Sequence, residues 1–301
     1  MTDSSQPPHA AERIVRVALA SRPSTRPLAD APLEPVRGGL SNHAWKAEWG
    51  GKSYFVRLGG PDSTRLGVDR DSECALLALA SDAGLAPAVI ACDPAIGLLV
   101  TPFVSGGPWT REDAHEVRNV ERLARCLRKL HALPAAAGVH DVDFRAQAQR
   151  LEAELEAACD ATGIEPTVRR AAEAAFEVLA RREPPRAVCH NDLHHLNVLD
   201  DGERLWLVDW EYGGLGDPIF DLASLACQHE FTAGERLALL EAYAGAGASA
   251  VPAESLDAAC IAFDYVQWLW YRLWAAMSPT ADSEYGVRAD ALGLRLAGGG
   301  G

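Results

Sequence analysis

Positive charge is scarce in this chain: 28 Lys and Arg stand against 42 Asp and Glu, a formal net charge of −14. Binding nucleic acid needs a concentrated Lys/Arg face to neutralise phosphates, and no such cluster occurs. Long hydrophobic runs are missing too. No stretch reaches the ~18 uninterrupted apolar residues of a membrane span. The N-terminal MTDSSQPPHAAER is polar, with an early Asp in place of the basic-then-apolar order of a signal peptide. Cysteine pairs at metal-binding spacing are absent as well. The seven cysteines, Cys74, Cys92, Cys126, Cys159, Cys189, Cys227 and Cys260, are odd in number and widely spaced, which predicts reduced thiols rather than a disulfide framework or a zinc site. Together these absences predict a cytoplasmic protein with neither a nucleic-acid nor a membrane partner, and the acidic balance suits a cationic ligand.

What the chain does have is length and a change of pattern. Its 301 residues bury roughly three quarters of the unfolded surface, enough for one large domain or two unequal lobes. Residues 1–32 are rich in Ser and Pro around a short helix candidate, Arg13 to Ala20, and read as a tail. From Leu33 the apolar period becomes two: Trp45, Ala47 and Trp49 alternate with Ala44, Lys46 and Glu48, Gly50-Gly51 makes a turn, and Ser53 to Leu58 returns as a second strand. A helix from about Arg70 to Asp82 and a strand over Ala88 to Val100 complete a small β-rich lobe, residues 33–104.

After Pro102 to Pro108 the composition shifts to Ala, Arg, Glu and Leu. Val120, Leu123, Leu127 and Leu130 share one face of a helix that stops at Pro134, and Leu151/Leu155 and Val168/Phe176/Leu179 mark two more. Residues 105–297 therefore read as a mainly α lobe and 298–301 as a glycine tail, which makes the fold class α+β. Charge divides unequally: residues 1–104 hold 10 basic and 11 acidic side chains and the remainder 18 and 31, so −13 of the −14 falls on the helical part.

The densest polar cluster in an apolar setting is His190-Asn191-Asp192-Leu193-His194-His195-Leu196-Asn197, with Asp209 following in LWLVDWEYG. Between them, the runs NVL and LWLV flank Asp200-Asp201-Gly202, a hairpin signal that puts Asn197 and Asp209 at one end of two paired strands. Two hard oxygen donors then face one space, the arrangement Mg²⁺ takes up with phosphate oxygens and water. Asp192, on the turn before the hairpin, is placed to accept a proton from a substrate hydroxyl as that oxygen attacks phosphorus.

An Asp, four residues, an Asn, then a second Asp on the next strand is the spacing of kinase-type phosphoryl transfer. The runs HNDLHHLNVL and LVDWEYGGLGDPIFDLA resemble the aminoglycoside phosphotransferase and choline kinase superfamily, and their Asp-Trp-Glu-Tyr form is closest to its bacterial choline/ethanolamine kinase-like branch. The resemblance implies a protein-kinase-like two-lobe fold with ATP and Mg²⁺ bound in the cleft. It implies Asp192 as catalytic base, His190 as support for its loop, and Asn197 and Asp209 as metal ligands. Gly38-Gly39-Leu40-Ser41-Asn42 matches the phosphate-covering loop, so that Gly39, Ser41 and Asn42 would meet ATP; Arg57 takes the place of the strand cation and Glu73 that of its helix partner. An Arg at this position offers phosphate oxygens a bidentate fork. Asp217 has a capping role before Pro218, Asp221 lies in the first turn of the same helix, and the resemblance adds that Asp221 holds the catalytic loop's backbone.

Six aromatics, Phe263, Tyr265, Trp268, Trp270, Tyr271 and Trp274, fall within twelve residues. Spread round a helix in this way, most are core; choline kinases use such rings as a cage whose faces attract a quaternary ammonium. Trp268, Trp270, Trp274 and Tyr212 are the candidates here, with Gln228 where those kinases offer a carboxylate. The expected reaction is transfer of the ATP γ-phosphoryl group to the hydroxyl of a small cationic amino alcohol resembling choline or ethanolamine. The alternatives are an aminoglycoside or thiamine as acceptor and, from another class, a metal-dependent hydrolase using His190, Asp192, His194 and His195.

Overall fold

In a computed structural model the described residues are 8–36, 42–60, 63–158, 164–245, 251–277 and 284–298. In chain order they form α1 (Pro8–Ala20), β1 (Leu33–Pro35), β2 (Asn42–Trp49), β3 (Lys52–Gly59), α2 (Arg70–Asp82), β4 (Ala91–Asp93), β5 (Leu98–Pro102) and β6 (Gly107–Pro108). There follow α3 (Arg111–His115), α4 (Val117–His131), α5 (Phe144–Ala158), α6 (Pro166–Ala180), β7 (Ala187–Cys189), β8 (Val198–Asp200), β9 (Leu205–Leu207) and β10 (Gly214–Gly216). The last helices are α7 (Ile219–Gln228), α8 (Ala233–Ala244), α9 (Ala253–Met277) and α10 (Glu284–Ala297). They divide into two compact units, one of residues 1–110, 136–140 and 195–213, the other of residues 111–135, 141–194 and 214–301.

The first unit is built on an antiparallel sheet of order β1-β2-β3-β5-β4. Gly50 and Gly51 join β2 to β3 with φ of 61° and 73°, the left-handed pair that a two-residue hairpin of the favoured twist requires. The strand expected over 88–100 is two strands, β4 and β5, because Pro94 removes a ladder donor and Gly97 turns the chain at φ 61°.

The segment read as an N-terminal tail belongs to this core. Val15 and Leu19 of α1 are fully buried with Trp45, Ala47, Val56, Leu98 and Val100, and Arg16 ties the following turn by donating to the carbonyls of Ala29 (2.7 Å) and Ala31 (3.0 Å). At about 1.5–3 kcal/mol for each buried aliphatic side chain, α1 is an integral layer of the unit. Residues 195–213, expected in the helical lobe, also group here: β8 and β9 pair, β6 joins them, and the Leu207 N–H donates to the Leu85 carbonyl at 2.7 Å.

Cysteine chemistry also differs from the expectation. Cys74 of α2 is bonded to Cys92 of β4, with Cα atoms 5.8 Å apart, while Cys126, Cys189, Cys227 and Cys260 are free. Their separation of 18 residues carries no framework signature; the bond exists because the chain leaving α2 returns along the sheet edge. The thiol-based argument for a cytosolic chain therefore falls away. No helix among the described residues is long and apolar enough to cross a membrane.

In the second unit α9 is the central helix, packed by α5, α6, α7 and α10, while α4 packs against α8. Such a position explains why its sequence is apolar nearly all round. Phe144 of α5 stacks on Phe220 of α7 with ring centres 3.7 Å apart. The two-stranded ladder β7–β10 pairs Cys189 with Gly214 and Ala187 with Gly216, so the loop leaving β7 at His190 and the helix following β10 start from one ladder.

Candidate active site

In the first unit a charged network surrounds β3 and the start of α2. The helix is capped by Asp69, whose carboxylate accepts the Ser72 N–H at 3.0 Å, and this places Glu73 in the first turn. Arg57 of β3 grips Glu73 with both guanidinium nitrogens, at 2.6 and 2.8 Å, and the two are 4% and 1% exposed. Burial pushes the Glu73 carboxyl up, but Arg57 and then Arg70 more than reverse it and hold it below the usual carboxylate range. For Arg57 burial favours losing the proton, and Glu73, Asp209 and Glu211 outweigh it.

The network runs on through residues the sequence did not single out. Arg70 donates to Glu73 (2.7 Å) and to the side-chain oxygen of Asn42 (2.8 Å), lies 3.2 Å from Glu211, and Asn42 donates to Glu211 at 3.0 Å. The signals available were the i, i+3 spacing of Arg70 and Glu73 and the Asp-x-Glu spacing of Asp209 and Glu211. Asn42 is thus at the head of β2 within this network, whereas Gly39 and Ser41 lie outside the described residues.

The hairpin register brings the backbone of Asn197 and Asp209 to one end of β8 and β9. Val198 pairs with Leu207, the Val208 N–H donates to the Asn197 carbonyl at 3.0 Å, and Asp209 follows with φ 63°. Its turn is held by Asp201, which accepts the N–H groups of Glu203 (2.9 Å) and Arg204 (2.8 Å), while Gly202 takes φ 90°. Asp209 reaches Arg57 at 3.4 Å. An amide oxygen and the carboxylates of Asp209 and Glu211 are hard donors of the kind that suits Mg²⁺.

In the second unit the loop after β7 is fastened from α7. Asp221, fully buried, accepts the N–H of His190 (3.0 and 3.1 Å) and of Asn191 (2.6 Å), and Ser224, one turn on, accepts the N–H of Leu193 at 2.7 Å. These ties flank Asp192, and Asn191 is held at φ 64°. Asp217 accepts the Ile219 N–H at 3.0 Å and pairs with Arg182 at 2.6 Å. His190 is buried, and His194 lies 3.7 Å from Asp192. Burial first, then Arg288 and Arg111, push the His194 imidazole down to about 4, so it is neutral near pH 7.

The aromatic candidates separate. Trp270 and Trp274, one turn apart on α9, stack at 5.4 Å, and Tyr285 of α10 meets them edge-on at 6.3 and 6.2 Å. Trp268 points about 200° away from Trp270 round the helix; it is 4% exposed and stacks on Tyr265 at 5.9 Å. Tyr212 belongs to the first unit, and Gln228 ends α7, half-buried. Tyr271 lies in the aromatic run already singled out, whereas Tyr285 and Arg288 of α10 were not singled out. Arg288 lies over the Tyr285 ring at 5.4 Å. For the Tyr271 phenol burial is the largest influence and pushes it up; a hydrogen bond from Arg288 opposes that, and Asp192 adds to it. The signal of Tyr285 and Arg288 was weak because α10 carries no motif.

Among the described residues the one group of three or more potential metal ligands with atoms within 4.8 Å is His131, Cys189 and Asp221, not the histidine cluster of the hydrolase alternative. His131 and Asp221 are hydrogen-bonded to each other, and burial, then Asp221 and Asp217, keep the Cys189 thiol protonated.

Compared with known families, residues 32–258, about three quarters of the chain, match the phosphotransferase enzyme family. Protein LicA of Haemophilus influenzae is 44% identical over 55 residues, 18% of this chain and 21% of that one. Streptomycin 3''-kinase of Klebsiella pneumoniae is 49% identical over 57 residues, 18% of this chain and 20% of that one. These matches thus span about a fifth of each relative. A choline/ethanolamine kinase family protein from Mesorhizobium loti has a structure with TM-score 0.76 and 28% identity, covering 95% of this chain and 93% of that one.

Proposed function

Since the chain belongs to the phosphotransferase enzyme family, we propose that it transfers the γ-phosphoryl group of ATP to the hydroxyl of a small cationic amino alcohol of the choline or ethanolamine kind. One observation carries the chemistry: Asp192 sits between backbone ties to Asp221 and Ser224, and the chain passes directly from that loop into the hairpin bearing Asn197 and Asp209. Asp192 accepts the hydroxyl proton as the acceptor oxygen bonds to the γ-phosphorus and the bond to the ADP oxygen breaks. Arg57, kept charged by Glu73, offers its guanidinium to phosphate oxygens. Asn197 and Asp209, with Glu211 beside them, would hold Mg²⁺, which when bound neutralises phosphate charge. Most of the acceleration would come from positioning and electrostatics.

The stacked Trp270/Trp274 pair and Tyr285 support a cationic acceptor, each ring face being worth about 0.5–2 kcal/mol to an ammonium. The choline/ethanolamine kinase family likeness favours the same class, and the streptomycin kinase likeness keeps an aminoglycoside as the alternative. Arg288 favours a second reading, an acceptor that also bears a negative group, because a built-in cation already lies over Tyr285. A coupled ATP-consumption screen over choline, ethanolamine, thiamine, streptomycin, hydroxy acids and neutral sugars tests this. Turnover of choline or ethanolamine is the expected result; turnover of neutral sugars alone overturns the cationic acceptor, and of hydroxy acids alone establishes the second reading.

A further inference from the structure

Asp221, which holds the catalytic loop, is itself held from behind. Its Oδ2 lies 2.9 Å from Nε2 of His131 on α4, and Nδ1 of the same ring lies 2.6 Å from the hydroxyl of Tyr243 on α8. Proton positions follow from the chemistry. Burial pushes the Asp221 carboxyl up, but the hydrogen bond and charge of His131, then His190, bring it below its ordinary value. An ionised carboxylate has no proton to give, so Nε2–H donates to Asp221, and Nδ1 of the same ring is hydrogen-bonded to the Tyr243 hydroxyl. Tyr243 keeps its own proton: burial first, and then Asp221, Cys189 and Asp217, push its phenol up to about 12.

The far end is also anchored. Arg128, three residues before His131 on α4, donates to the carbonyls of Ala242 and Tyr243, the latter at 3.2 Å. Every contact in the chain Tyr243, His131, Asp221, Asn191 is therefore a buried or half-buried hydrogen bond between different elements. At its near end Asn191 sits at φ 64°, a left-handed conformation that Asn adopts more readily than other residues with a Cβ and that the bond to Asp221 holds here.

We propose that Tyr243 and His131 are positioning residues for phosphoryl transfer, setting through Asp221 the backbone of His190 and Asn191 and with it the direction of the Asp192 carboxylate. Without His131 the Asp221 carboxylate loses the contact that fixes its rotation, and Asn191 relaxes from its left-handed conformation. Asp192 is the next residue, and a displacement of about 1 Å at a reacting group costs on the order of 10²-fold in rate. The kinetic part of this rests on Asp192 being the base; the structural part does not.

The test uses the full-length chain as Tyr243→Phe, His131→Ala and His131→Gln, read in two ways. Amide hydrogen exchange of peptides covering 187–194 reports the loop without any acceptor. Steady-state kinetics with ATP, and with choline or water as acceptor, report turnover. Tyr243→Phe removes one oxygen and preserves ring packing. It is expected to speed exchange at 187–194 at least tenfold, leave peptides of α2 and of β8–β9 as in the wild type, and lower kcat five- to twentyfold with KM for ATP within twofold. His131→Ala should do more. His131→Gln, whose amide both donates to Asp221 and accepts from Tyr243, should recover to within about threefold of wild type. Loop exchange unchanged in folded Tyr243→Phe overturns the proposal, as does a Gln variant no better than Ala, or exchange that rises across the whole helical unit. Loop exchange that responds while choline is not turned over leaves the positioning role standing and counts only against the acceptor assignment.

Discussion

Glu73 answers two arginines at once, with only 1% of it exposed. Glu73→Gln would leave Arg57 buried without its bidentate partner, and breaking such a pair costs about 3–5 kcal/mol; urea unfolding at pH 7 should show a loss of that size. The acid dependence has a definite sign. The folded carboxyl lies below its unfolded value of about 4.3, so its contribution is fully present above that value and is lost as pH falls through the lower folded one. Between pH ~5 and pH ~3 the wild type should therefore lose more stability than Glu73→Gln; equal slopes would mean that the pair does not hold Glu73 ionised. For Asp192→Asn the measurement is kinetic: kcat should fall roughly 10²–10⁴-fold, the usual worth of a general base, with ATP binding retained. Wild-type turnover would remove the base assignment. At this scale Asp192, Asn197 and Asp209 could be proposed from residue type and spacing alone. Arg70, Glu211, His131, Tyr243 and Arg288 could not: Arg70 and Glu211 meet only in the fold, His131 and Tyr243 lie 112 residues apart, and Arg288 is on α10, which carries no motif.

Helices and hairpins show the same division. α4 and α6 were legible from their apolar faces, β2–β3 from alternation across Gly50-Gly51, and β8–β9 from the Asp-Gly turn that Asp201 closes. The layer formed by α1 was not, because short amphipathic helices look alike whether they lie on a sheet or trail from it. The Cys74–Cys92 bond belongs to this scale too, linking α2 to β4 across 18 residues. By the chain-entropy relation a loop of this size contributes about 3 kcal/mol. Cys74→Ser, or treatment with a phosphine reductant, should lower the melting temperature by several degrees. Thiol labelling read by mass spectrometry should find Cys74 and Cys92 blocked before reduction and labelled after it. Labelling of both in the untreated protein would refute the bond.

Charge is a property of the whole molecule, and the fold redistributes it. The sheet-bearing unit holds 11 basic and 16 acidic side chains, net −5, and the helical unit 17 and 26, net −9. The difference from a division at residue 104 is the hairpin, whose Asp200, Asp201, Glu203, Asp209 and Glu211 join the sheet unit with Arg204. A net −9 still attracts a cationic acceptor over a Debye length. Raising ionic strength from ~50 mM to ~500 mM should lower kcat/KM for choline several-fold while leaving a neutral acceptor nearly unchanged; no difference between the two would mean the charge is only a solvated face.

Composition and local pattern were enough for the α+β class, for most of the helices, and for the hairpin that brings Asn197 and Asp209 to one end of β8 and β9. All of these depend on residues within about a dozen positions of one another, where backbone geometry alone sets what meets. Tertiary packing decided the rest: that α1 completes the sheet's core, that Cys74 meets Cys92, that Arg70 and Glu211 extend the Arg57–Glu73 pair, and that Asp221, which ties the loop at Asn191, is itself bonded to His131 and through it to Tyr243. Such contacts join different elements, so they exist only once burial has brought those elements together.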